Sequence, residues 1–259
     1  MILEGKTLIV TGVGTGLGSE VVRAAHRDGA NVVLAARTQA TLEQLAKEVD
    51  PSGERVAIQP TDITDAAQCQ ALVEVTLARF GRVDALAQIA AMENVFGDFD
   101  AVAAQDMRDV METNVIGSLL MAKAAAEPMK TQGGGAIVLI GSQSSFLPLV
   151  PQLAYASSKG ALMTAMYFMA KDLGPHRIRV NTVVPTWMWG PPVEGYLSAQ
   201  AKERGCTLED MKAEVTSNFC IPEIPEDGDV AEAVIFLASD RARMITGQYL
   251  MVNAGERMT

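Results

Sequence analysis

Little in this 259-residue sequence points to a metal, to disulfides or to a polyanionic partner. Cysteine is confined to Cys69, Cys206 and Cys220, an odd number without a CxxC spacing, and histidine to His26 and His176. That scarcity argues against a zinc cluster and a disulfide framework, so no metal site and a reducing, cytoplasmic setting are expected. Basic residues are in deficit: 21 Lys and Arg against 31 Asp and Glu give a net charge of -10. Nucleic acid and anionic lipid would need clustered cations that are missing. No uninterrupted apolar run approaches the roughly 18 residues of a membrane helix. Residues 1–10 read as a short strand interrupted by Glu4 and Lys6, not as a signal peptide. The expectation is a soluble protein with a small-molecule partner, without nucleic acid or membrane.

Internal repeats, low-complexity tracts and long polar linkers are also lacking, so residues 1–259 are read as a single domain. With 49% hydrophobic residues the chain can bury a sizeable core. Apolar runs of strand length fall at 6–11, 31–36, 55–59, 84–90, 135–141, 178–184 and 248–253, with amphipathic helical stretches between most of them. Runs such as NVVLAA and GAIVLI are apolar on both faces. That pattern predicts an α/β fold, a doubly wound parallel sheet of about seven strands, Rossmann-like, with helices on both faces. One stretch breaks the rhythm. Between 185 and 225 prolines surround a helical pattern near 198–217, and Trp187, Met188, Trp189, Tyr196 and Phe219 are too apolar for a solvated insertion. A lid-like excursion is expected there.

The stretch TGVGTGLGSE, residues 11–20, carries four glycines between the first strand and a helix. Strand, glycine loop and helix N-terminus form the arrangement that receives a dinucleotide pyrophosphate: the backbone can come close and free N–H groups point at the charge. The GxGxxG spacing fails, because the third glycine would fall on Leu17, whereas TGxxxGxG fits Thr11, Gly12, Gly16 and Gly18. At the end of the second strand, where a carboxylate would bind the ribose of NAD, Ala36 and Arg37 stand instead. Nothing there repels a 2′-phosphate and a guanidinium can grip one, so NADP(H) is preferred, with NAD(H) still possible. Asp62 and Ile63 follow the third strand, suited to hold adenine by a hydrogen bond and an apolar contact.

Tyr155 and Lys159, in YASSK, lie four apart on one helix face, and Ser142 ends the run AIVLIGS thirteen residues before Tyr155. In a doubly wound sheet such a strand end borders the ligand crevice. A Tyr, a Lys and a Ser meeting a nicotinamide suit carbonyl and alcohol chemistry, which needs a proton donor in one direction and a base in the other. A free tyrosine titrates near 10, so base chemistry at neutrality asks for roughly 4 kcal/mol of preferential phenolate stabilisation. The Lys159 ammonium and an oxidised nicotinamide are the expected sources.

On these motifs the sequence resembles the short-chain dehydrogenase/reductase family, in its compact single-domain branch, along essentially its whole length. The resemblance implies that Tyr155 is the acid/base, Ser142 the hydrogen-bond partner of the substrate oxygen, and Lys159 both a ribose ligand and the activator of Tyr155. Asn114, in ETNVIG, matches the helix Asn whose local backbone distortion holds a water in the proton relay. Cofactor contacts are implied at Thr11, Gly12, Gly16, Leu17, Gly18, Arg37, Asp62, Ile63, Ala90, Tyr155, Lys159 and Pro185. Three departures stand out. Gln88, Ile89, Ala90 and Ala91 replace Asn-Asn-Ala-Gly, Thr186 replaces the glycine after Pro185, and Gly190 takes the place of a threonine.

The resulting expectation is an oxidoreductase that moves a hydride between a nicotinamide cofactor and a secondary alcohol or ketone. The family match adds a homotetramer or homodimer, formed through the helices after the fourth and fifth strands. Phe146, Leu147, Leu149, Val150, Met92, Trp187, Met188 and Trp189 would line an apolar pocket for a bulky substrate, or else pack as core beneath a loop. Two alternatives stay open: an idle dinucleotide-binding sensor, and a dehydratase or epimerase with tightly held cofactor.

Overall fold

The computed structural model describes residues 1–258. Seven parallel strands, β1 (Thr7–Thr11), β2 (Asn31–Ala36), β3 (Val56–Pro60), β4 (Ala85–Gln88), β5 (Gly135–Ile140), β6 (Ile178–Pro185) and β7 (Tyr249–Val252), form one sheet in the order β3-β2-β1-β4-β5-β6-β7. All seven expected strands are present, each within two residues of the expected ends. Strand alternation explains the doubly apolar runs. In β1, Leu8 and Val10 face one core and Ile9 the other; in β5, Ala136, Val138 and Ile140 oppose Ile137 and Leu139 in the same way.

Helices α1 (Leu17–Arg27), α2 (Gln39–Val49) and α9 (Asp227–Ala238) cover the first face. The second face is covered by α3 (Ala66–Phe80), α5 (Ser118–Gln132) and α6 (Leu153–Leu173). A short helix α4 (Ala104–Met111) runs into α5 through a π-helical turn, Glu112–Gly117. Asp65 caps α3 by accepting from the Ala67 and Gln68 amides, and Gly81, at φ 74°, ends it. By contrast α1, with Gly16 at its N-cap, has no side-chain cap, so its first amides remain available.

The sequence order reverses between β1 and β4, and the crevice at the carboxyl ends there is where a doubly wound sheet takes its ligand. Over it lies the excursion. Its expected single helix near 198–217 is two helices, α7 (Pro191–Arg204) and α8 (Leu208–Thr216). The break falls at Gly205, in left-handed conformation at φ 67°, and Thr207 restarts the chain with a capping box to Asp210. These helices enclose a small core of their own around Leu197, Ala201 and Met211. No helix among the described residues is long and apolar enough to cross a membrane.

Candidate active site

The glycines between β1 and α1 divide into two kinds. Gly12 has φ +70°, and a Cβ there would lie 2.6 Å from Ala90 Cα; one on Gly18 would lie 2.9 Å from Val13 Cα. These two are required by the fold itself, where β1 passes β4 and the loop folds onto α1. A Cβ on Gly14 meets nothing within 4 Å, and one on Gly16 meets only the Asp227 carboxylate. Open space beside an uncapped helix N-terminus fits a pyrophosphate. Thr11 is fully buried, donating to Gln88 Oε1 at 2.8 Å and accepting from the Ile89 amide at 3.1 Å. Its hydroxyl thereby ties β1 to β4 and positions the loop. Leu17 is likewise packed into the core by its side chain, leaving its backbone for a ligand.

At the adenosine end Arg37 is exposed, and its charge helps hold the Asp62 carboxyl below the usual range, after the hydrogen bonds from Thr64 that dominate that shift. Asp62 Oδ1 accepts from the Thr64 amide at 3.0 Å and hydroxyl at 2.7 Å. Ile63 is 5% exposed and packs against Gly117. Its side chain packs mainly into the core. Ala90 and Pro185 border the crevice at the ends of β4 and β6. Gln88 accounts for one departure from the family pattern: besides accepting from Thr11, it donates to Ser118 Oγ at 3.3 Å and to the Ala90 carbonyl at 3.4 Å.

Four polar side chains converge at the carboxyl end of β5. Ser142 follows the strand and caps a short 3-10 turn, its Oγ 2.9 Å from Ser144 Oγ. Tyr155 and Lys159 project from α6, with Lys159 Nζ 5.5 Å from the Tyr155 ring centroid and donating to the Ile140 carbonyl at 2.9 Å. Asn114 sits in the π-helical turn, the backbone distortion that the resemblance implies. Its side chain receives the Met92 amide at 2.7 Å and donates to Ser158 Oγ at 2.9 Å, while Ser158 donates to the Tyr155 carbonyl at 2.7 Å. The Asn114 carbonyl accepts from Ser118 Oγ at 2.8 Å. Asn114 thus fixes the loop after β4 against α6.

Electrostatics here run against one expectation. Burial pushes the half-buried Tyr155 phenol well above its ordinary value, Glu93 adds to the rise, and the Ser142 hydroxyl opposes it. Burial also drops the Lys159 ammonium to about 8, with Glu93 opposing. The chain on its own therefore does not lower the phenol; it holds Tyr155 as an acid.

Several residues near the chemistry were not legible as such in the sequence. Glu93 lies in the loop after β4, its carbonyl accepting from Gln152 Nε2 at 3.2 Å, and its charge bears on both Tyr155 and Lys159. Gln143, next to Ser142, is buried and donates to Glu256, which also accepts from Thr186; Asn253 donates to Gln143 Oε1 at 2.6 Å. The C-terminal segment thereby anchors the Ser142 turn. Phe96 stacks on Tyr196 of α7 with centroids 6.1 Å apart, and Trp187 packs on Tyr196 at 6.0 Å, so the excursion is clasped to the loop after β4. Part of the expected apolar lining is core instead. Met188 packs onto the sheet, Trp189 onto the core of the excursion, and Phe146 lies beside Tyr249 and under the Arg257 guanidinium.

A doubly wound sheet with an open glycine loop and a Ser-Tyr-Lys cluster at the crevice defines a nicotinamide-dependent oxidoreductase. Residues 12–256 match a family model described as enoyl-(acyl carrier protein) reductase. The chain is 32% identical over 255 residues to D-threitol dehydrogenase of Mycolicibacterium smegmatis, covering 98% of this chain and 93% of the relative. It is 33% identical to L-xylulose reductase of Bos taurus, covering 98% and 97%. Among solved structures, the crystal structure of levodione reductase superposes with a TM-score of 0.89 at 25% identity, covering 98% of both chains. The chain belongs to the short-chain dehydrogenase/reductase family and is an NAD(P)-dependent alcohol/ketone oxidoreductase.

Proposed function

We propose that this protein interconverts a bulky, largely hydrophobic secondary alcohol and its ketone with NADP(H) as the preferred cofactor, in the cytoplasm. The convergence of Ser142, Tyr155 and Lys159 beside an open pyrophosphate seat carries this reading. The bound nicotinamide supplies or removes the hydride. Tyr155, held as an acid, gives its proton to the forming alkoxide; Ser142 hydrogen-bonds the same oxygen; Lys159 steadies the phenolate left behind. The aromatic cluster of Phe96, Tyr196 and Trp187, clasping the excursion to the loop after β4, supports an apolar surround for a bulky substrate. A second reading, a polyol or sugar, is favoured by the exposed Glu93 carboxylate near Tyr155, a hydrogen-bond acceptor for further hydroxyls, and by the threitol and xylulose relatives. Absorbance at 340 nm across a panel of cyclic ketones, aliphatic ketones, polyols and sugars decides between them. Turnover confined to polyols removes the hydrophobic assignment, and bound cofactor without net turnover on any compound points to the sensor or the epimerase.

Arg37 supports the preference for NADP. Its loss in Arg37→Ala is expected to weaken NADP binding by about 1.5 to 3 kcal/mol, the range for a hydrogen bond to a charged group, and to leave NAD almost unaffected. Ala36→Asp should shift preference further toward NAD by offering the ribose hydroxyls an acceptor and repelling the phosphate. The measurement is kcat/KM for both cofactors in the three proteins; equal weakening of both by Arg37→Ala makes Arg37 an ordinary solvated side chain.

A homotetramer or homodimer is also proposed. Exposed Phe168 on α6 lines a groove shared with α5, where Ala122 and Ala126 permit close helix packing. Light scattering at micromolar concentration reads the assembly directly.

A further inference from the structure

Asp227, the first residue of α9, places its carboxylate between two glycines from distant segments. A Cβ on Gly16 would lie 3.5 Å from Asp227 Oδ2, and one on Gly190 only 2.7 Å from it. Gly190 is fully extended, at φ -168°, so the carboxylate and not backbone strain keeps a side chain off that position. The same carboxylate therefore looks onto the uncapped N-terminus of α1, where the open face of the glycine loop lies. Its charged neighbours are all acidic: Glu20 on α1, Glu93 in the loop after β4 and Glu226 beside it, and with burial they raise its carboxyl to about 6. The basic side chains of α1 are committed elsewhere, Arg23 to Glu20 and Glu48, Arg27 to Asp28 and Glu232. Residues 186–193, leading into α7, contribute no charge.

We propose that Asp227 borders the pyrophosphate seat and that the dinucleotide binds with uptake of a proton by this side chain. The proposal rests on the reading of the glycine loop as the pyrophosphate site. A carboxylate and a diphosphate sharing one partly desolvated space repel strongly, whereas a protonated carboxyl can donate to a phosphate oxygen. The sign follows from the free carboxyl. Below about pH 6 it already carries its proton and affinity is flat; above that, binding must bring a proton, and affinity falls by up to about tenfold per pH unit. The residue thus makes the enzyme's hold on its cofactor a function of pH across the neutral range.

The test is isothermal titration calorimetry with NAD, which lacks the 2′-phosphate whose own titration near 6 would intrude. Wild type and Asp227→Asn are titrated at pH 5.5, 6.5 and 7.5 in two buffers of different ionisation enthalpy. The expected result is proton uptake by the wild type at pH 7.5, none by Asp227→Asn, and roughly tenfold or greater tighter binding by the variant at that pH. Should the amide fail to fold, Asp227→Ser and the uptake by the wild type give the same reading. If only NADP binds, the difference between wild type and variant is used, since the ligand's own titration is common to both. Binding to the wild type without proton uptake, or an unchanged pH slope in the variant, overturns the role of Asp227 and leaves the glycine-loop site standing. Binding of neither dinucleotide at any pH overturns both.

Discussion

Tyr155→Phe is expected to lower kcat by roughly 10² to 10⁴, the contribution of a positioned acid/base group, while the dissociation constant of the dinucleotide stays within a few fold. Only the hydroxyl is removed, and the phenol ring keeps its place on α6 facing Lys159. Because the phenol is raised and not lowered in the chain alone, ketone reduction at saturating cofactor should be nearly independent of pH through the neutral range, where Tyr155 remains a proton donor. Alcohol oxidation needs the phenolate, whose fraction grows about tenfold per pH unit below its pKa, so that direction should rise with pH. Lys159→Ala is the contrast: with both tasks proposed for that side chain, it should damage turnover and cofactor binding together. Steady-state rates in both directions with a parallel cofactor titration check all of this. A variant retaining a substantial fraction of wild-type kcat would remove Tyr155 from the acid/base role.

What the sequence revealed of this molecule was what local pattern carries. Seven apolar runs gave the sheet because a parallel strand buried on both faces leaves few polar residues to blur it, as in β2, polar only at Asn31, and in β5. The YxxxK pair was legible because four residues make one helical turn. Side-chain burial was not. Thr11 and Ile63 sit at positions that suggest ligand contact, yet their side chains satisfy the sheet and the core, and only the packing of β4 and of the π-helical turn decides that. The partners that shape the site come from far along the chain: Glu256 reaches Gln143 across 113 residues, and Asp227 meets Gly16 and Gly190. No periodicity records such meetings. The raised phenol is of the same kind, since it follows from burial and from Glu93, neither of which a motif spells out.

The glycine loop shows most sharply how one composition hides two physical causes, and a pair of substitutions separates them. Gly12→Ala is expected to destabilise the fold by about 2 to 5 kcal/mol, combining the left-handed backbone penalty with overpacking against a neighbour that cannot yield. That neighbour is the Ala90 backbone, 2.6 Å from the new Cβ at its Cα, and φ is +70°. For a chain of this size the loss corresponds to a fall in Tm of very roughly 5 to 15 °C. Gly14→Ala enters open space with nothing within 4 Å and without a left-handed φ, so Tm should hold or rise slightly as the unfolded chain loses freedom. What the methyl should cost there is dinucleotide affinity, on the proposal that the pyrophosphate lies against that open face of the loop. Thermal melts and NAD and NADP titrations of the two variants read the division directly. Equal losses of Tm in both would show that Gly14 is structural as well, and an unaltered cofactor affinity in Gly14→Ala would move the pyrophosphate away from that face of the loop.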